Sequence, residues 1–439
     1  MLLLLGAGAG IPGPDPIYPD AIVEIAFGYT WQDPDPVWTD VTPYVDFSPG
    51  LSVKTGRSKE LDTFQAGTCG FTLDNGDRRF DPLHDGGPYY GQLLDRVPVR
   101  VTLEYQGTDY PLFRGFVEGW PQRYTPADQI AYVPIVASDA FTILADVSSL
   151  SGGFTLDDAD RGVLDEDRLS GPGGSTGGGV VGELSGERVD ALLDVSGWPE
   201  TLRDVALGSS TLQAQEIDEE MLAALQLVEV SEDGFFYVNA AGEVVFHGRH
   251  DRQTVPRMAN VQATFSDQGP LYYDDLMLLP SDWALVANDV RRTREGGVEQ
   301  TVVDAASIGI RGRRTNSRSG LVVETDAQAM DLAQAHLNRY SVPGTRIDGL
   351  VIDPLNDPGQ LWPEVLGRQV LDRIQVDRTP QQTGDPIELQ VLIQGIEHQW
   401  TDWAWRTRWY VTPADEPSSF YFTLDDLALG VLDDDLLGA

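Results

Sequence analysis

Two windows of the chain, 268 residues apart, carry the same pattern without a gap. Phe154-Thr155-Leu156-Asp157-Asp158 followed by Gly162-Val163-Leu164-Asp165 recurs as Phe422-Thr423-Leu424-Asp425-Asp426 followed by Gly430-Val431-Leu432-Asp433. Extended through Asp167/Asp435 and Leu169/Leu437, the two 16-residue windows share 11 identities. Such self-similarity is the mark of an internal repeat; the plain alternative is a pair of unrelated acidic turns of similar composition. Each copy directly follows a strand-rich block, which predicts two structurally related blocks, each followed by a clip that docks on an equivalent groove. The apolar side chains of a clip alternate with carboxylates that cannot be buried unpaired, so only one face can dock. The predicted anchors are Phe154, Leu156, Val163 and Leu164 in one copy and Phe422, Leu424, Val431 and Leu432 in the other.

The blocks themselves read as strands of period two. Val99, Val101, Leu103 and Tyr105 alternate with Arg100, Thr102 and Glu104, the pattern of a half-buried antiparallel strand. Similar runs occur at Ala21-Phe27, Gly70-Leu73, Leu112-Glu118 and Ile130-Ala137, with turn clusters such as Asp74-Asn75-Gly76-Asp77 between them. After a glycine-rich stretch at 171–179, helices are predicted over Glu187 to Asp194 and Gln213 to Glu229, the second aligning Ile217, Met221, Leu225 and Val228. They would pack on a hairpin of Phe235-Val238 and Val244-Phe246. Strands return from about Arg257, interrupted by one helix, Asp326 to Tyr340, that aligns Met330, Ala333, Leu337 and Tyr340 behind an N-cap at Thr325 or Asp326. Pro386 to Ile396 and the aromatic run Trp400, Trp403, Trp405, Trp409 and Tyr410 suit the strands and rims of a second block.

The expected division is therefore an extended arm at 1–20, where four prolines stand among glycines, a first β-barrel domain at 21–148, and a clip with a glycine-rich linker at 149–182. A small α+β module at 183–256, a second β-barrel domain at 257–411 and a C-terminal clip arm at 412–439 complete it. The fold class is mainly β.

Charge narrows the partners. The 439 residues include 69 acids and 30 Lys or Arg, a formal net charge of −39, so the chain lacks the basic footprint of a tight nucleic-acid binder. Acidity of this kind keeps a large protein soluble. Cys69 is the only cysteine, which excludes an intrachain disulfide and fits folding in a reducing cytoplasm. The leucine run at residues 2–5 has no basic residues before it and is too short for a secretory h-region, and no stretch reaches the roughly 18 apolar residues of a membrane span.

No catalytic constellation emerges. The glycines at 6–10 run into Ile11-Pro12-Gly13-Pro14 where a dinucleotide-binding turn needs a helix. Neither a phosphate-binding Gly-Lys-Ser/Thr loop nor a Gly-x-Ser-x-Gly elbow occurs. His247 and His250 are the one histidine pair close in sequence, and without a cysteine partner they make a poor metal site. Asp157-Asp158-Ala159-Asp160 departs from calcium-loop order at Gly162. The expectation is no enzyme, no cofactor and no metal.

Several ordered motifs resemble minor tail proteins of siphophages infecting actinobacteria: Trp38-Thr39-Asp40-Val41-Thr42-Pro43-Tyr44-Val45, Gly56-Arg57, Ala66-Gly67-Thr68, Phe71-Thr72-Leu73-Asp74-Asn75 with Arg78-Arg79-Phe80-Asp81-Pro82, Pro98-Val99-Arg100-Val101 and Leu112-Phe113-Arg114-Gly115-Phe116-Val117. Asn288-Asp289-Val290, Ala305-Ala306-Ser307-Ile308-Gly309, the helix around Ala327-Tyr340 and Gly395-Ile396-Glu397-His398 resemble the second half of baseplate or tail-tip hub proteins. One departure is Arg96-Val97, where that family often has a glycine before the Pro-Val-Arg-Val strand. The resemblance implies two barrels akin to the tail-tube fold. It also implies a homotrimer that caps a sixfold tail tube, borders the DNA ejection channel and contacts tube, distal-ring, tip or fibre proteins at the virion's tail tip. The sequence carries no long C-terminal extension of the kind that holds hydrolase or receptor-binding domains in some hubs, so a structural core component is expected. The rival expectations are a carbohydrate-binding host-attachment protein that stacks sugars on Trp400, Trp403, Trp405 and Trp409, and a cell-wall hydrolase.

Overall fold

The computed structural model describes residues 18–33, 35–125, 130–147, 154–155, 182–214, 216–217, 220–279, 283–380, 385–401 and 404–414. The clearest alternating run forms the strand Pro98–Tyr105, with Val99, Val101 and Leu103 fully buried. It pairs on one edge with Asp20–Ile25, which lays Ala21, Val23 and Ile25 opposite Leu103, Val101 and Val99. Its other edge pairs with Thr108–Val117. The turn that launches it keeps a left-handed residue although glycine is absent: Arg96 has φ of +61°. A non-glycine residue in that region carries strain that its surroundings must offset; here the Arg96 guanidinium is ion-paired with Asp146.

Two closed barrels are expected from the strand pattern, and the structure corrects this. The fold is mixed α/β, and among the described residues no sheet closes on itself. One branched sheet of 15 strands runs through both blocks, in the order Asp275–Leu279, Arg346–Ile352, Ala404–Pro413, Ile387–Thr401, Leu51–Gly56, Thr68–Asp74, Ile130–Ser138, Thr108–Val117, Pro98–Tyr105, Asp20–Ile25, Thr39–Asp40. The cause is the length of Ile387–Thr401, 15 residues. One of its edges pairs with Ala404–Pro413 along the strand. The other is divided: Ile387–Leu392 bonds to Arg373–Arg378 of the second block, and Gly395–Trp400 bonds to Gly56–Leu51 of the first. Edges that would close each block on itself are thus used to join the blocks, which satisfies the backbone without leaving a free edge at the seam.

Two glycines make the handover possible. Gly56 has φ of +82°, and a Cβ there would collide with the Gln394 carbonyl oxygen. At Gly395, beside the register shift from Ile393, a Cβ would lie 2.5 Å from the Arg57 carbonyl oxygen. Only glycine tolerates both the conformation at 56 and the approach at 395.

Between the two halves of the chain, helices Ser185–Ser196 and Met221–Glu232 pack beside a small sheet of Arg203–Val205, Val244–His247 and Phe235–Val238. The second helix starts later than its periodicity suggests, because the preceding residues are taken by tertiary pairing. Thr211–Leu212 bonds to Glu183–Leu184, and the Gln213 N–H donates to the Val322 carbonyl. The Glu232 carboxylate is buried and accepts from Ser185 Oγ at 2.9 Å, Ser209 Oγ at 2.7 Å and the Ser210 N–H at 2.8 Å. Burial opposes its charge, but these donors outweigh it and hold the carboxyl below the usual range.

A second small sheet, Gln300–Val303, Asp289–Arg294 and Thr315–Leu321, lies against the helix Asp326–Tyr340. Thr325 caps that helix, accepting from the Gln328 N–H at 3.2 Å. Its buried face is Ala329, Leu332, Ala333, Leu337 and Tyr340. Met330, expected on this face, is 36% exposed; the apolar stripe is rotated by one residue toward Ala329.

Candidate functional site

The predicted clip residues are met only at one point. Phe154–Thr155 forms a short antiparallel pair with Glu216–Ile217. Leu156, Val163, Leu164, Phe422, Leu424, Val431 and Leu432 lie outside the described residues. Of the tryptophans offered for sugar stacking, Trp405 and Trp409 are buried in the main core, where Trp405 packs edge-on against Trp362 and Trp409 meets Phe265. Trp400 is half-buried against Phe47, and Trp403 lies outside the described residues. The buried indoles of Trp405 and Trp409 offer no platform to a sugar and serve packing. His247 is buried with Nδ1 3.4 Å from Asp251 and Nε2 3.2 Å from Arg257, and His250 packs beside Arg249. Among the described residues no group of three His, Cys, Asp or Glu side chains converges as a metal site.

A charged cleft lies where the seam, the module and the second small sheet meet. Arg57 follows directly on the Gly56 handover, donating through Nε to Gln394 Oε1 at 2.8 Å and through a terminal nitrogen to the Asp62 carbonyl at 2.9 Å. Its guanidinium lies over the Phe64 ring, 4.4 Å from the centroid. Arg252, beyond the hairpin, covers Phe235 in the same way at 4.5 Å. Arg292 and Arg318 come from neighbouring parallel strands, where they are register partners. Arg292 donates to Asn316 Oδ1 at 2.9 Å. The helix Asp326–Tyr340 adds His336 and Arg339, and Tyr340 donates its hydroxyl to Glu60 Oε1 at 2.7 Å. Glu60 also faces the Arg346 guanidinium at 2.7 Å.

Five arginines therefore line one cleft of a chain that has 30 Lys and Arg in all and a net charge of −39. Four acids, Glu60, Asp62, Glu229 and Asp233, share the cleft with them. Burial pushes Glu229 up to about 8 despite the pull of Arg57, so it is largely neutral at pH 7. Burial, aided by the adjacent Arg318, brings Arg292 down to about 10. Burial, reinforced by Arg292 and Arg318, drives His336 down to about 4 and keeps the imidazole neutral. Arg57 is lowered by its own burial even with Glu229 and Glu60 close by. Burial is the first cause in each case; among charged neighbours, Arg318 depresses Arg292, Arg292 and Arg318 depress His336, and Asp233 opposes both. No motif announced the cleft, since its arginines span residues 57 to 339. The local clue was the run Arg311 to Arg318, with Arg313 and Arg314 between, a basic island in an acidic sequence.

No protein-family model matches the chain, and no curated protein matches it either. Solved structures do. The tail protein from Neisseria meningitidis MC58 aligns with a TM-score of 0.55 at 12% identity, covering 89% of this chain and 96% of that one. The 43 kDa tail protein of prophage MuSo2 from Shewanella oneidensis aligns at 0.49 and 12%, covering 90% and 98%. The first of these carries the conclusion: nearly from end to end, this chain has the fold of a tail protein.

Proposed function

We propose that the chain is a non-catalytic structural component of a phage-type tail, placed at the tail tip as a hub that caps the tube and borders the path of DNA ejection. The observation that carries this reading is the fold shared with a tail protein over 89% of this chain and 96% of the other. Likeness that covers both chains almost entirely supports a role for the whole molecule rather than for one module of it. The resemblance to siphophage motifs supports putting that role at the tip. In this reading the chain joins copies of itself and neighbouring tail proteins in the virion, and its excess of acids keeps DNA from adhering to any surface it passes. The described clip pair, Phe154–Thr155 with Glu216–Ile217, supports an anchoring role for the first repeat.

Three copies are the expected number, supported by the resemblance to tail-tip hubs. Immunogold labelling of purified tails tests the placement. Label at the tip, with native mass giving three copies, supports the hub. Label along the tube or on side fibres, or absence from purified tails, overturns it. Peptidoglycan zymography of the same protein should show no clearing.

A further inference from the structure

We propose that the arginine cleft is the docking site of the acidic segment that begins at Asp415 of the same chain. Thr412 and Pro413 line the cleft, and Ala414, the last residue described before that segment, is pinned by its N–H to the Gln390 carbonyl at 2.9 Å. Whatever follows Ala414 starts at the cleft's rim. The next two residues are Asp415 and Glu416, and residues 415–439 contain seven acids and no Lys or Arg. At about 3.3–3.6 Å per extended residue, the backbone of these two residues can reach no farther than roughly 7 Å from Ala414.

The cleft has a place for such an acceptor. Gln394 is 2% exposed; its Oε1 is taken by Arg57, while its Nε2 donor has no acceptor. His336 Nε2 is likewise buried without a partner. A buried donor without an acceptor costs about 1–3 kcal/mol, and a carboxylate oxygen entering between Gln394, Arg57 and Arg318 would satisfy it with charge-assisted bonds. Leu61, 42% exposed, and Leu332 give the cleft an apolar wall as well, which suits a segment whose acids alternate with Phe and Leu. Tethering supplies the rest, since a ligand joined to its site by a short flexible chain reaches millimolar effective concentration. The inference concerns contact within one chain and stands or falls apart from any role in a tail.

Limited chymotrypsin digestion of the full chain tests it, because the segment offers Phe420, Tyr421 and Phe422. In 50 mM salt the wild type should lose the segment about tenfold more slowly than Arg318→Gln, with Arg318→Lys between. Raising salt to 0.5 M should speed the wild type and leave Arg318→Gln unchanged. Asp415→Asn/Glu416→Gln, which leaves the cleft intact, should match Arg318→Gln. Equal rates in all forms overturn the proposal. Cleavage that slows with rising protein concentration assigns the segment to a second copy and also overturns it. So does protection of the cleft's amides by 10 mM inorganic phosphate with no release of the segment, which would make the cleft a small-anion site.

Discussion

The seam of the main sheet and the small sheet under the helix Asp326–Tyr340 are built on opposite principles. Around the seam, a single apolar cluster extends from Ala21 to Val411, with Trp409, Trp405 and Ile393 beside the strands that join the blocks. The small sheet has two satellite clusters instead, one of Ala287, Val290, Ala333, Leu337 and Tyr340 and one of Leu321, Val323, Ala329 and Leu332. Its strands are held by charge as much as by burial. Asp289 is fully buried, and Arg291 and Arg313 reach it at 3.2 and 2.7 Å, with Thr315 Oγ1 at 3.0 Å. Hydrogen bonds from Arg291 first, then Arg313 and Thr315, outweigh burial and hold its carboxyl far below the ordinary range. Area-based stabilisation is cooperative and spreads over the whole cluster, whereas a buried ion needs each of its few partners. The seam should therefore fail globally and the small sheet locally.

Removal of Trp409 gives the sharpest test, since its side chain is fully buried. Trp409→Ala should cost about 3–5 kcal/mol, visible as a global loss in denaturant midpoint. Unchanged midpoint with local loosening only would erase the contrast. Next comes Gly56→Ala, which forces both a left-handed alanine and a clash with Gln394. A loss of about 2–3 kcal/mol is expected, and exchange should quicken on both Leu51–Gly56 and Ile387–Thr401.

In the small sheet, Asp289→Ala should act close to home. Amides of Asp289–Arg294 and Thr315–Leu321 are expected to exchange about 30-fold faster, the equivalent of roughly 2 kcal/mol, with the seam unaffected. Spread of that effect to Ile387–Thr401 would show that the two regions open as one.

A pH-dependent effect lies where the regions meet. Glu229 has its folded pKa raised, so the stability it contributes is present below about 4.5 and lost as pH rises through about 8. Stability measured against pH should decline less steeply across that window in Glu229→Gln than in the wild type. Parallel curves would mean that Glu229 is already charged in the fold.

Local order was legible because it rests on local patterns. Alternation placed Pro98–Tyr105, and a capping threonine with an apolar stripe placed Asp326–Tyr340 at both ends. The hairpin of Phe235–Val238 and Val244–His247 was readable in its turn. What failed was pairing. Period two says that Leu51–Gly56 and Ile387–Thr401 are strands but not which edges they share, so the pattern fits two blocks each closed on itself as well as it fits the joined sheet. Gly56 and Gly395 were in view as glycines of known motifs, yet their purpose depends on residues far away in sequence. The cleft was hidden for the same reason: Arg57, Arg292 and Arg318 acquire a common role only once the seam has brought three parts of the chain together.

That seam also sets a timetable. Leu51–Gly56 can pair with Thr68–Asp74 almost at once, but its other edge belongs to Gly395–Trp400, roughly 340 residues downstream. At about 5–20 residues per second of synthesis, the edge stays open for some 17 to 70 seconds on the ribosome. An open edge is a template for any other strand, so the nascent first half is exposed to mispairing with its neighbours on the same message until the closing strand emerges. Slowing translation across the intervening region should lower the soluble yield of this protein, and supplying a holdase chaperone should restore it.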